Sequence, residues 1–151
     1  MGAIMEFATE KQIASFLSTC RIEGQKNFLM AFKKKTWLKS FIDFFIVGGS
    51  YYVQSSVKPK ILAFTPKGIY LMDISDITEN RSNQVLEMPW NQVKDFTYKP
   101  VLNTVRLNWN YQNEAYIFSV DVGQLSQHVG QYQFNKEHYD YLVQQDFFQS
   151  K

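Results

Sequence analysis

Thr104-Val105-Arg106-Leu107-Asn108-Trp109-Asn110, then Tyr116-Ile117-Phe118-Ser119-Val120-Asp121-Val122 after the turn at Tyr111 to Glu114, is the stretch from which the fold is read. Val105, Leu107 and Trp109 alternate with Thr104, Arg106, Asn108 and Asn110; Tyr116, Phe118, Val120 and Val122 repeat the alternation. Successive side chains of a strand point to opposite faces, so a period of two with one apolar phase marks a strand with one buried face. Two such strands joined by a short turn make a hairpin, and further short connections make a meander.

The pattern extends upstream. Lys60 to Thr65 and Ile69 to Ile74 are β-prone runs separated by Pro66-Lys67-Gly68, which predicts a second hairpin. A polar connection, Ser75 to Asn83, leads to a strand over Gln84 to Met88. Pro89 has no amide hydrogen to give a ladder, so Pro89-Trp90 reads as a corner or bulge before Val93 to Lys99 resumes. Lys26 to Phe32 is an earlier strand candidate, ended by Lys33-Lys34-Lys35.

Three helices flank or interrupt these strands. Thr9 and Gln12 have the spacing of a capping box, and Ile13, Phe16, Leu17 and Cys20 recur at helical intervals up to Gly24. From Thr36 to Val47 the polar residues Thr36, Lys39, Ser40 and Asp43 fall on one stripe, with Trp37, Leu38, Phe41, Ile42, Phe44 and Phe45 covering the rest. Gly48-Gly49 stops that helix. A Gly- and Gln-rich loop, 124–133, precedes a last helix in which Asn135 is the expected cap, Phe134 and Tyr139 the expected staple, and Tyr139, Leu142, Val143 and Phe147 the apolar face.

With 151 residues, 45% of them hydrophobic and 17% aromatic, the chain can bury a core without disulfide or metal staples, and one domain over 1–151 is expected, its first 24 residues forming a helical extension. The lone Cys20 cannot form an internal disulfide, which points to a reducing, cytoplasmic setting. Met1 to Glu10 lacks the basic and apolar regions of a leader. Trp37 to Gly49 is too short to span a bilayer, so no transmembrane segment is expected.

Reactive groups are sparse. His138, at the start of the last helix, is expected at the surface, and His128 in the preceding loop. Cys20 falls on an apolar stripe and reads as a small core residue rather than a nucleophile. These residues lack metal-ligand spacing, and Asp73, Asp76 and Glu79 lack the alternation and central glycine of a calcium loop, so they read as a solvated hairpin end. No catalytic residue, metal or cofactor is expected, and the chain reads as a non-enzyme.

Charge is distributed unevenly. Residues 1–67 carry a balance of +6 and residues 68–151 one of −4, within a net charge of +2. Lys33, Lys34, Lys35 and Lys39 adjoin the aromatic helix containing Trp37, and Lys58, Lys60 and Lys67 flank the next hairpin. Lysines beside an aromatic amphipathic helix suit peripheral contact with an anionic membrane, each ammonium gaining about 1 kcal/mol near the surface. The same lysines would also solvate the end of a helix packed onto the sheet. Nucleic acid ranks below these readings because the net charge is small.

Two segments carry a family resemblance. Ile61-Leu62-Ala63-Phe64-Thr65-Pro66-Lys67-Gly68-Ile69-Tyr70-Leu71 is similar to a hairpin of the bacterial pleckstrin-homology-like domains, and Met88-Pro89-Trp90-Asn91-Gln92-Val93-Lys94-Asp95-Phe96 resembles their strand corner. The resemblance covers about residues 26 to 148 and implies an α+β fold: a curved, partly open antiparallel β-barrel capped by its C-terminal helix, here with a leading helix and an inserted helix. It also implies a binding module rather than a catalyst, whose partner would be an anionic lipid surface, at the inner face of the membrane, or a protein, including a second copy of the chain. Lys33, Lys34 and Lys35 fall where eukaryotic relatives of this fold hold phosphoinositides, but the basic-x-Arg step of those relatives has no counterpart at Lys60-Ile61-Leu62. The rival architecture is a cystatin-like cone, an enzyme or carrier with an aromatic-lined pocket between helices and a strongly curved sheet.

Overall fold

The computed structural model describes residues 8–22, 26–34, 59–123 and 134–148, Lys34 by its backbone alone. The helix expected over 36–47 lies outside the described residues, as do Lys35, Trp37, Lys39, Lys58 and His128. Within the described residues, α1 (Glu10–Thr19) precedes β1 (Phe28–Lys34), and β2 (Pro59–Phe64) and β3 (Gly68–Asp73) form the first hairpin. A short helix, α2 (Ile74–Thr78), leads to β4 (Leu86–Pro89). After a turn of 3₁₀ helix, Trp90–Gln92, come β5 (Lys94–Val101), β6 (Thr104–Tyr111), β7 (Glu114–Asp121) and α3 (Phe134–Gln144).

The strands form one antiparallel sheet in the order β4-β3-β2-β1-β7-β6-β5. β1, first in the chain, is central in the sheet. Phe64 on β2 and Phe96 on β5 lie four strand positions apart, about 19 Å in a flat sheet at the usual spacing, yet their ring centroids are 6.2 Å apart. Trp109 on β6 points its indole N–H at Met88 Sδ on β4 over 3.3 Å, across five positions. The sheet therefore curls until its two edges face each other. No ladder joins β4 to β5 among the described residues, so the curl stays open.

Each face has its own apolar cluster. The concave side holds Leu29, Ala31, Leu62, Phe64, Met88, Leu107, Trp109, Phe118 and Val120, closed by Leu142 and Phe148 from α3 and the turn after it. The convex side of β1, β2 and β3 presents Phe28, Met30, Ile61, Ala63 and Met72 to Ile13, Phe16 and Leu17 of α1, Ile74 and Ile77 of α2, and Phe134 of α3. Burial on both faces is why Phe28 to Ala31 and Ile61 to Phe64 read as continuous apolar runs, whereas β6 and β7, covered on one face, alternate.

The hairpin and the corner are fastened together. Trp90 donates its indole N–H to Thr65 O at 2.7 Å and its backbone N–H to Lys67 O at 3.1 Å. Gly68 lies opposite Pro89, where a Cβ would stand 2.2 Å from Met88 O, so only glycine lets β3 and β4 meet. At Asp95, with φ of 56°, the β5–β6 register shifts and β5 turns away from the corner.

Local readings are corrected in three places. β1 does not stop before the lysines: Lys33 and Lys34 pair with Phe118 and Ile117. The acidic cluster is not a loose hairpin end, because Asp73 caps α2, Asp76 accepts the Asp73 N–H at 3.2 Å, and Asp76 is buried against Arg81 at 3.2 Å. Asn135 lies inside α3, not before it, with its side chain committed elsewhere.

Candidate functional site

β7 pairs with β1 only from Phe32 to Lys34, which leaves the edge of β1 bare over Phe28 to Met30. α3 fills that gap. Asn135 Oδ1 accepts the Met30 N–H at 2.8 Å, while Nδ2 donates to Met30 O at 2.9 Å and Asp121 O at 3.0 Å. A primary amide presents the same donor and acceptor as a peptide, so Asn135 takes the place of the missing strand residue. One turn on, His138 Nδ1 lies 2.8 Å from Phe28 O and Nε2 lies 3.0 Å from Glu10 Oε2 at the start of α1. His138 is fully buried, its ring edge-on to Phe28 and 5.0 Å from Phe134.

The surface placement expected for His138 is thus overturned. Phe134, His138 and Leu142 are spaced four apart on one helix face and all three are buried. That spacing was visible in the sequence; the free edge of β1 that accepts the imidazole was not. The Glu137 carboxylate beside it completes a group in which ligand atoms of Glu10, Glu137 and His138 all lie within 4.8 Å of one another.

Of the expected basic site, Lys33, Lys60 and Lys67 are described with their side chains. Lys33 is half-exposed, its Nζ 5.1 Å from the centre of the Tyr116 ring and 4.0 Å from Glu114. Lys60 is ion-paired to Asp73 on β3 and partly buried, beside a shallow cavity of about 190 Å³ whose lining includes Met72, Asp76 and Leu86. Lys67 sits in the β2–β3 turn, at the end of β1 opposite Lys33, so roughly 17 Å of strand separates the two. Lys67 therefore does not share one patch with Lys33, whereas Lys60, cross-strand from Ala31, lies on the adjacent strand within two residues of it.

Two cations that the sequence reading passed over do stand together. Lys99 on β5 lies directly opposite Arg106 on β6, both are exposed, and neither has an ion-pair partner among the described residues. Like charges at opposed positions destabilise a sheet, so the pair suits an anion supplied from outside. The turn of this hairpin places Leu102, 98% exposed, at its tip with φ of 57°. The alternation of β6 puts Arg106 on the convex side; the register that brings Lys99 to it follows from the two-residue turn.

Among the described residues, the titrating side chains with altered affinities for protons move away from neutrality. Burial, then the hydrogen bond and charge of Glu114, push Tyr116 up to about 12. Burial also raises Tyr139, Tyr70 and Cys20, the last at the C-cap of α1. None of these becomes a general base or an activated nucleophile at neutral pH. Among the described residues no helix is long and apolar enough to cross a membrane. Comparison of the chain with protein-family models, curated proteins and solved structures found no match.

Proposed function

We propose that this chain is a non-catalytic binding module of pleckstrin-homology-like architecture that lies against an anionic membrane surface. The observation that carries this reading is the filled concave side of the sheet. Trp109 stacks on Tyr116 and Phe118, Phe96 lies against Trp109, and Phe148 enters between Phe64, Phe96 and Tyr98 with ring centroids 4.9 to 5.7 Å apart. A cone-shaped enzyme or carrier needs that space for its ligand and a helix inside the curve, whereas α1 packs on the convex side. Such a scaffold works through its outer surface. The central β1, the meander on either side of it and the closing helix support the proposed architecture.

On the surface, the contact is assigned to the basic and aromatic segment 33–45 that begins at the end of β1, with Lys99 and Arg106 as a second cationic point. Each lysine brought to an anionic surface contributes about 1 kcal/mol. The test is co-sedimentation with vesicles of phosphatidylcholine alone or with about 30% phosphatidylserine. The wild-type chain should pellet only with the anionic vesicles, and Lys33→Glu/Lys34→Glu/Lys35→Glu should weaken that binding by about a hundredfold or more. Equal pelleting of the two proteins, or none of either, removes the membrane and leaves a protein partner as the occupant of this surface.

A further inference from the structure

We infer that Glu10, Glu137 and His138 form a binding site for one divalent transition-metal ion of the zinc class, which fastens α1 to α3 at the open edge of β1. The site is separate from the cationic surface described above and does not depend on it.

The argument starts from the imidazole. Phe28 O can only accept, so the His138 Nδ1 at 2.8 Å carries hydrogen. In the neutral ring this leaves the lone pair on Nε2, which faces a carboxylate oxygen of Glu10 at 3.0 Å. Two acceptors face each other, and a positive centre belongs between them. A histidine that donates one ring N–H to a backbone carbonyl and turns the other nitrogen to a carboxylate has the orientation that metal-binding histidines use.

A proton would satisfy His138 and Glu10 alone; the third donor favours a metal. Glu137 immediately precedes His138 in α3, and its carboxylate completes the group with all ligand atoms within 4.8 Å. Metal–ligand bonds of about 2.0 to 2.2 Å place the ligands of a tetrahedral ion roughly 3.3 Å apart, so modest side-chain rotations close the triangle. One imidazole nitrogen with two carboxylates suits zinc and its neighbours better than calcium or magnesium, which prefer all-oxygen sites.

Entry is open on one side, since the Glu10 and Glu137 side chains are 50% and 62% exposed while His138 is fully buried. Water would take the fourth position. The Lys26 ammonium, 3.9 Å from Glu137 and half-exposed, can swing into solvent as the ion enters. Lys136 and Asp140 neutralise each other at 2.8 Å on the same helix.

The test is titration of the full chain with Co²⁺, followed by its visible absorption, and with Zn²⁺, followed by calorimetry and thermal unfolding. One saturable equivalent is expected, with a rise in Tm of about 5 °C or more when free Zn²⁺ exceeds Kd about a hundredfold. Glu137→Gln and Glu10→Gln should each weaken binding about tenfold or more. Glu137→Gln should keep the Tm of the wild type in metal-free buffer, which separates lost coordination from lost folding. His128→Asn should bind as the wild type does. No saturable binding up to about 1 mM metal overturns the site. So does binding that both glutamine variants leave unchanged.

Discussion

Replacing Trp109 by alanine is expected to destabilise the protein by about 4 kcal/mol, read as a lower urea midpoint with unchanged slope and a Tm lower by roughly 10 °C. The indole is 2% exposed and sits where the two ends of the curled sheet meet. It stacks nearly parallel on Tyr116 at 5.6 Å and Phe118 at 5.4 Å, and Phe96, on the neighbouring edge strand β5, lies 5.9 Å away. The substitution removes the body that holds β4 and β5 to β6 and leaves a cavity that flanking rings cannot refill without leaving their rotamers. Trp109→Phe, which keeps a ring, should cost less than half as much. A loss below about 1 kcal/mol for Trp109→Ala contradicts the packing described.

The second large effect is expected at Asn135. Asn135→Ala leaves the Met30 N–H and C=O without the amide that satisfies them in a buried place, at a cost of about 3 kcal/mol. Asn135→Asp is the more telling change, because it alters shape little and chemistry greatly. Its carboxylate could still accept the Met30 N–H, but its other oxygen would face Met30 O and Asp121 O, now hydrogen-bonded by Nδ2 at 2.9 and 3.0 Å. A destabilisation as large as that of alanine is expected at neutral pH by urea unfolding. If Asn135→Asp unfolds within about 0.5 kcal/mol of the wild type, Asn135 does not substitute for a strand residue.

Much of the scaffold was legible because local rules and the fold agree. Thr9 and Gln12 form the capping box their spacing announces, Thr65 to Gly68 turns the hairpin, and the strict alternation of Thr104 to Asn110 is the strand that covers the concave side. Where the reading failed, a partner distant in the chain decided the outcome. Asn135 has the chemistry of a helix cap, and a bare strand edge 105 residues away takes it instead. His138 looks like a surface residue until β1 and Glu10 close around it. Ile74 to Thr78 offered only five residues, too few for a helical period, although Asp73 and Asp76 carried the capping signal.

Where the cations stand relative to one another was not legible in the sequence. Lys33 and Lys67 reach opposite ends of the β1–β2 pair. Lys60 reads as a surface cation but is held by Asp73, its cross-strand neighbour. Lys99 and Arg106 read as isolated charges, seven residues apart, until the register of β5 on β6 sets them side by side.

The central claim is that, among the described residues, Leu142 and Phe148 at the end of the fold pack into the inside of the curved sheet. Phe148 is the residue to watch, being 2% exposed with its ring 5.0 Å from Phe64 and 4.9 Å from Tyr98. Nuclear Overhauser contacts from the Phe148 ring protons to those of Phe64, Phe96 and Tyr98 are predicted in solution. A Phe148 ring with random-coil shifts and no contact to those three residues would contradict the account.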